Sequence, residues 1–250
     1  MATKSRGRVR VEDGSKRVRI YLAGELIADT IHPKYVWEKP YYPTYYIPVA
    51  DVRMDALVAT GEVAHSPSRG DAAVHDVKVN AITADNAAWV YRDGPIPDVT
   101  DTVAFRFSAF DWFEEDEKIF VHPRDPYTRI DILQSSRHVE VFMAGTKVAD
   151  TRQPRLLFET GLPTRYYIPE TDVRMDLLSH SDLTTECPYK GTAHYYHATI
   201  DGATVENHIW WYPTPVAESQ RIAGYLAFYN EKVEIVIDGV SQEQPRTIFS

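Results

Sequence analysis

The sequence is poor in features that mark several large classes of protein. It contains one cysteine, Cys187, which excludes an intrachain disulfide and a four-cysteine zinc site. No apolar run reaches the roughly 18 residues that a membrane-spanning helix needs. The first residues are basic but lack the apolar stretch of a secretory signal, so we expect a cytoplasmic protein with no membrane partner.

Positive charge is also scarce. The 250 residues include 27 lysines and arginines against 36 aspartates and glutamates, which gives a formal net charge of −9. Affinity for nucleic acid depends on neutralising phosphates with basic side chains, so we expect no nucleic-acid partner. With 44% hydrophobic and 25% charged residues, the composition is that of an ordinary globular protein.

The most informative feature that is present is an internal repeat. The sequence Tyr-Tyr-Ile-Pro begins at Tyr45 and again at Tyr166, and Asp-Val-Arg-Met-Asp begins at Asp51 and again at Asp172. Both blocks recur at the same offset, and so do many single residues between and beyond them. Two copies of a unit of about 100 residues favour a pseudo-symmetric pair over a solenoid, which needs three or more shorter repeats.

The repeat predicts the domain organisation. The alignment of the two copies needs no gap as far as Phe107 and Phe228. A charged, proline-containing stretch separates the copies. The segments that we predict are a basic N-terminal segment at 1–17, copy one at 18–113, a linker at 114–138, copy two at 139–240 and a tail at 241–250.

Each copy is predicted to be mostly β. Short runs rich in aromatic and β-branched residues alternate with turn signals, and only 170–178 and 216–222 could form short helical segments. The run at 192–201 should be a strand with one face in the core and the other in solvent. We expect Tyr196, Ala198 and Ile200 on the core face and Tyr195, His197 and Thr199 on the solvent face.

Several motifs of copy two form a recognisable combination. They are the segment 184–193 around Cys187, the two repeated blocks, the run 210–213 (Trp-Trp-Tyr-Pro) and the run 224–229 (Gly-Tyr-Leu-Ala-Phe-Tyr). Together they resemble the domain of unknown function 427 family, and copy one resembles a diverged second member.

The resemblance implies a fold akin to the β-tent of methionine sulfoxide reductase B and of the ligand-binding domain of cereblon. We therefore predict an all-β protein with few short helices, built as two tandem β-tent-like domains that form a pseudo-two-fold pair. The resemblance implies no activity. Relatives with that fold often bind zinc through four cysteines, which this chain lacks, and we predict no cofactor.

Cys187 is a candidate nucleophile. A nearby cation favours the reactive thiolate, and Lys190 lies three residues further on. His194 could transfer protons. The alternative interpretation, which we favour, is a small half-buried hydrophobic side chain before Pro188. Copy one has Ser66 at the Cys187 position, so any thiol chemistry would belong to copy two.

A cation precedes a glycine in both copies, as Lys190-Gly191 and as Arg69-Gly70. Such a pair could anchor a ligand carboxylate or phosphate. A true phosphate loop has several glycines before a helix, however, so we favour a solvated turn.

Three further side chains of copy two are candidate ligand contacts. Tyr195 and Trp211 could form the wall of an aromatic pocket, although aromatic residues also pack in cores. Arg174 could bind a ligand carboxylate, but we favour an ion pair with Asp172 or Asp176 that fixes a loop.

Imidazole and carboxylate groups also suit zinc or iron. None of those in copy two shows the spacing of a metal motif, so we predict no metal site. The side chains considered are His180, Asp182, Glu186, His194, His197 and His208.

Two functions are compatible with these patterns. The one that we favour is binding or transformation of an unidentified small molecule in a pocket of copy two, lined by Cys187, Lys190, His194, Tyr195 and Trp211. The alternative is a non-catalytic scaffold whose two copies form an intramolecular pseudo-dimer for a protein partner. A thiol redox role is limited by the lack of a resolving cysteine. We expect a monomer or a weak homodimer, and the sequence leaves open whether there is catalysis.

Overall fold

The structure, a computed structural model, describes residues 9–247 and residue 250. The chain divides into two compact units between Asp125 and Pro126, and we call these units copy one and copy two. Within the described residues both are built from antiparallel β-strands and short 3₁₀ turns. None of the described helices is long and apolar enough to cross a membrane.

Copy one forms a seven-stranded and a four-stranded sheet. Its strands are β1 (Arg10–Asp13), β2 (Val18–Leu22), β3 (Glu25–Thr30), β4 (Lys34–Trp37), β5 (Thr44–Pro48), β6 (Leu57–Ser66), β7 (Gly70–Val79), β8 (Ile82–Tyr91), β9 (Thr102–Phe105), β10 (Asp111–Glu114) and β11 (Glu117–Ile119). The strand orders are β1-β4-β5-β9-β8-β7-β6 and β11-β10-β2-β3. Its 3₁₀ turns are Val49–Asp51, Met54–Ala56, Pro97–Val99 and Phe107–Ala109.

Copy two repeats this arrangement. Its strands are β12 (Ile130–Gln134), β13 (Val139–Met143), β14 (Thr146–Thr151), β15 (Arg155–Glu159), β16 (Arg165–Pro169), β17 (Leu178–Cys187), β18 (Gly191–Ile200), β19 (Ala203–Trp211), β20 (Tyr225–Phe228), β21 (Glu234–Ile237) and β22 (Val240–Ser241). The orders are β12-β15-β16-β20-β19-β18-β17 and β14-β13-β21-β22. The 3₁₀ turns Glu170–Asp172, Met175–Leu177 and Ala217–Ile222 lie in the two segments predicted to be helical. The all-β tandem fold is thus confirmed.

Strand register corrects the alignment of the two copies at their C-terminal ends. Ala88 pairs with Phe105 in copy one, and Ile209, its counterpart 121 positions later, pairs with Phe228. Phe228 therefore corresponds to Phe105 and not to Phe107. The ungapped alignment was wrong because the connection from Tyr212 to Tyr225 is two residues longer than the matching connection from Tyr91 to Thr102, and a second phenylalanine at 107 hid the difference.

Strands also occur in stretches that we expected to lie outside the copies. β1 lies within the predicted basic segment and pairs with β4. β11 and β12 lie within the predicted linker and pair with β10 and β15. All three are edge strands with few buried side chains, so their composition resembles that of a linker. Parts of the predicted basic segment and tail, at 1–8 and 248–249, lie outside the described residues.

Copy two buries side chains on both faces of its seven-stranded sheet. An inner cluster joins Ile168, Tyr196 and Ile209 of this sheet to Val141 and Ile235 of the four-stranded sheet. The structure confirms that Tyr196, Ala198 and Ile200 face a core.

The opposite face was expected in solvent, and at its Tyr195 end this is wrong. Tyr195 is 5% exposed and belongs to an outer cluster with Tyr167, Trp210 and Ile222. The 3₁₀ turn that ends at Ile222 contributes to this cluster and buries the face locally. Further along the strand Thr199 is exposed, as expected.

Candidate functional site

A polar network lies beside the Ser66–Gly70 turn of copy one. The Nη1 atom of Arg69 lies 2.6 Å from a Glu38 carboxylate oxygen and donates to the Tyr46 hydroxyl, also at 2.6 Å. That hydroxyl donates to Glu38 at 2.8 Å and lies 3.4 Å from the Tyr91 hydroxyl. Burial and the Glu38 charge raise the pKa of Tyr46, so its hydroxyl keeps its proton and can donate. Arg69 Nε donates to Ser66 at 3.2 Å.

Copy two keeps the cation–carboxylate pair of this network in a more buried form. Lys190 Nζ donates to Glu159 at 2.5 Å, and the two side chains are 11% and 8% exposed. The corresponding Arg69 and Glu38 side chains are 21% and 25% exposed. The favoured interpretation of Lys190 as part of a solvated turn is therefore wrong, because its ammonium group is folded inward onto a carboxylate.

The glutamate of this pair, Glu38 or Glu159, was not predicted from the sequence. Glu38 and Glu159 lie 121 positions apart, so the repeat offset contains the signal. Neither glutamate is close in sequence to the cation that it binds, however. Only the folded chain brings each glutamate to its cation.

A cavity of about 360 Å³ opens beside the copy-one network. Arg69 and Glu38 line it together with aromatic side chains that include Trp89 and Tyr42. The ring of His122 stacks on Tyr42 at the same cavity, with 3.9 Å between ring centroids and an interplanar angle of 9°. Burial lowers the pKa of His122, which favours its neutral form at neutral pH.

In copy two Trp210 corresponds to Trp89, and neighbouring side chains cover its ring. The Tyr229 ring packs on Trp210 with 4.6 Å between centroids, and the Arg165 guanidinium lies 5.6 Å from the Trp210 ring. Arg165 is held by Glu231 through two contacts of 2.7 and 2.8 Å, and the two side chains are 7% and 0% exposed. These side chains cover Trp210, whereas Trp89 lines a cavity in copy one.

The two residues of the covering ion pair have smaller counterparts in copy one. Strand register places Thr44 at the position of Arg165, since Thr44 pairs with Val36 and Arg165 pairs with Leu157. The corrected alignment places Ser108 at the position of Glu231. Copy one therefore lacks the ion pair that covers the tryptophan in copy two.

The residues predicted for a copy-two site lie on two faces of its large sheet. Cys187 is half-buried at the end of β17 and pairs with Gly191, close to Lys190. His194 and Trp211 lie together, with 6.0 Å between ring centroids, and Trp211 packs against the inner cluster. Tyr195 faces the outer cluster, where its hydroxyl lies 2.8 Å from that of Thr185. No hydrogen bond joins Cys187 to His194 within the part of the chain that the structure describes.

Arg174 forms an exposed ion pair. It donates to both carboxylate oxygens of Asp176 at 2.7 and 2.6 Å, and this pair holds the pKa of Asp176 below its ordinary value. Asp172 instead accepts a hydrogen bond of 2.6 Å from the buried Thr151 hydroxyl. The repeated Asp-Val-Arg-Met-Asp block is thus anchored through its first aspartate, while its arginine stays near the surface.

This difference predicts unequal effects of two substitutions. Asp172→Ala should cost about 1–3 kcal/mol of unfolding free energy, because Thr151 is only 2% exposed and its hydroxyl loses its acceptor. Arg174→Ala should leave the urea midpoint unchanged, since water can solvate the exposed Asp176 carboxylate that loses its partner. Urea titration of the two variants checks this, and equal midpoints for both would contradict it.

One three-residue group among the described residues has the geometry to hold a metal, namely His138, Glu140 and Asp150. Lys147 already supplies a positive charge there, with Nζ 2.9 Å from Glu140 and 2.6 Å from Asp150. None of the six side chains considered from the sequence belongs to this group. It therefore resembles a surface ion-pair network.

The comparison with protein families decides the classification. The family model described as a domain of unknown function, DUF427, matches residues 10–116 and 131–239. The chain belongs to the DUF427 family. Each matched region of this tandem DUF427 protein begins in the first edge strand of a copy, β1 or β12, and ends just before the last, β11 or β22. No match was found among curated proteins.

Proposed function

We propose that this DUF427 protein binds a small molecule in the copy-one cavity. The observation that supports the proposal is the contrast between the two tryptophans, since Trp89 lines a cavity while Trp210 is covered by Tyr229 and Arg165. A concave site with aromatic walls and a few convergent polar groups is typical of ligand pockets. The shared fold provides the framework, and loss of the covering ion pair provides the space.

The sequence had favoured a pocket in copy two, and the proposal differs for a physical reason. Cys187 and His194 were predicted to belong to a site because copy one has no thiol or imidazole at the corresponding positions. The size of a cavity depends instead on which side chains fill it, and the decisive change is from Arg165 to the smaller Thr44.

The experiment transplants the covering pair into copy one. The double variant Thr44→Arg/Ser108→Glu should close the cavity, because it reproduces Arg165 and Glu231 at the corresponding positions. Native mass spectrometry with a library of small aromatic and heteroaromatic compounds measures binding. We expect complexes with the natural protein and at least a tenfold loss with the double variant.

A matched control separates cavity closure from added charge. Thr83 and Ser15 are exposed residues of the same copy that do not line the cavity, so Thr83→Arg/Ser15→Glu should bind as the natural protein does. The proposal fails if the natural protein binds no compound, or if a folded Thr44→Arg/Ser108→Glu variant binds as well as the control.

A further inference from the structure

We infer that the ligand of the copy-one cavity is a planar aromatic carboxylate with a single negative charge. The inference rests on the proposed function and names the class of ligand. It follows from the hydrogen-bond donors of the cavity, from its charge balance and from its aromatic walls.

Three donors that line the cavity have no acceptor among residues 9–247 and 250. Arg69 uses Nε and Nη1 on Ser66, Tyr46 and Glu38, and its Nη2 makes no hydrogen bond there. The indole N–H of Trp89 is also without an acceptor, and the exposed Lys39 ammonium forms no ion pair. A ligand that satisfies all three must carry hydrogen-bond acceptors, and two of the three donors are cationic.

The fold itself does not require this tryptophan to lack an acceptor, because its counterpart in copy two has one. Trp210 donates its indole N–H to the Tyr167 hydroxyl at 3.2 Å. In copy one the corresponding hydroxyl, that of Tyr46, accepts instead from Arg69. The change from Lys190 to Arg69 therefore accompanies the release of an indole N–H beside the cavity.

The charges that line the cavity add up to one positive unit. Arg69 and Lys39 are cationic, and Glu38 is anionic. Burial lowers the pKa of His122 and so favours its neutral form. His65 also lines the cavity, but its exposed ring contacts Asp71 at 2.5 Å, and Asp71 lies outside the lining. A carboxylate balances this charge, whereas a phosphate dianion would bring an excess negative charge beside Glu38.

The aromatic walls favour a flat ring as the body of the ligand. Trp89 and Tyr42 line a cavity of about 360 Å³, which is within the range of small-molecule sites. Aromatic rings prefer offset-stacked or edge-to-face contact with such walls, and Arg69 can bind a carboxylate in the plane of its guanidinium. A two-ring acid therefore matches both the volume and the donors.

The test compares three probes of one shape by isothermal titration calorimetry on the full chain. These are 2-naphthoate, the neutral 2-naphthamide and 2-naphthyl phosphate. We expect 2-naphthoate to bind at least tenfold more tightly than 2-naphthamide and more tightly than the phosphate. Lys39→Gln should weaken naphthoate binding several-fold and leave naphthamide binding unchanged. Lys78→Gln, at an exposed lysine of β7 outside the cavity, should change neither.

The outcomes separate this inference from the proposed function. Equal affinity for the acid and the amide, lost in Thr44→Arg/Ser108→Glu, would overturn the carboxylate assignment and keep the site. Tighter binding of the phosphate would overturn the single charge. Failure of all three probes would overturn the ligand class, while the library experiment decides separately whether the cavity binds any compound.

Discussion

Replacing Lys190 with methionine should destabilise copy two by about 3–5 kcal/mol, because it leaves a buried carboxylate without its cation. The Glu159 side chain is 8% exposed, and one of its carboxylate oxygens lies 2.5 Å from Lys190 Nζ. Methionine fills a similar volume but cannot donate a hydrogen bond. Hydrogen exchange on the intact protein measures the effect at the amides of β18, where protection should fall.

Two further variants isolate the charge. Glu159→Gln/Lys190→Met removes both charges and should recover most of the lost protection. Arg69→Met makes the matching change in copy one. It should cost less, because Glu38 is 25% exposed and water can solvate its carboxylate. Equal losses in the two copies, or no recovery in the double variant, would show that burial does not control the cost.

Arg165→Met should also cost about 3–5 kcal/mol at neutral pH, and the cost should shrink in acid. The Glu231 side chain is fully buried and bound by Arg165. Burial acts to raise the pKa of Glu231, but hydrogen bonds from Arg165 and Thr247 outweigh it and hold the pKa below the ordinary 4.5. A lowered pKa in the folded state means that the carboxylate stabilises the fold above pH 4.5, and this contribution is lost as the pH falls further.

The pH dependence distinguishes a charge effect from lost packing. In Arg165→Met, burial without the cation should raise the pKa of Glu231, so this variant gains stability relative to the natural protein on acidification. Urea unfolding at pH 7 and at pH 4 measures the difference. The pair variant Arg165→Met/Glu231→Gln should lack this dependence. A constant Arg165→Met penalty at both pH values would point to packing alone.

Much of the fold could be predicted from the sequence because residues that are identical in the two copies mark positions where the fold has the same structural requirement. The strand at 192–201 and the short helical segments at 170–178 and 216–222 were predicted, and the structure has β18 and 3₁₀ turns there. The edge strands β1 and β12 were not, since edge strands are held by backbone pairing and leave polar side chains exposed. Tyr195 was misplaced because a distant 3₁₀ turn covers its face.

The candidate site was harder to predict than the fold. The Lys190 position was recognised as a cation shared by both copies, but Glu159 lies 31 residues before it and forms no short motif with it. Thr44 lines the cavity and Ser108 stands at the position of Glu231, and both are ordinary residues in the sequence. Their importance appears only when Arg165 and Glu231 are found covering Trp210.

The most direct test of the account is a crystal structure of the protein soaked with 2-naphthoate. We expect ligand density in copy one, with the ring against Trp89 and the carboxylate beside Arg69, and no ligand density at the covered Trp210. Ligand density at the Cys187–Lys190 turn of copy two, with solvent alone beside Trp89, would contradict the account and restore the site that the sequence favoured.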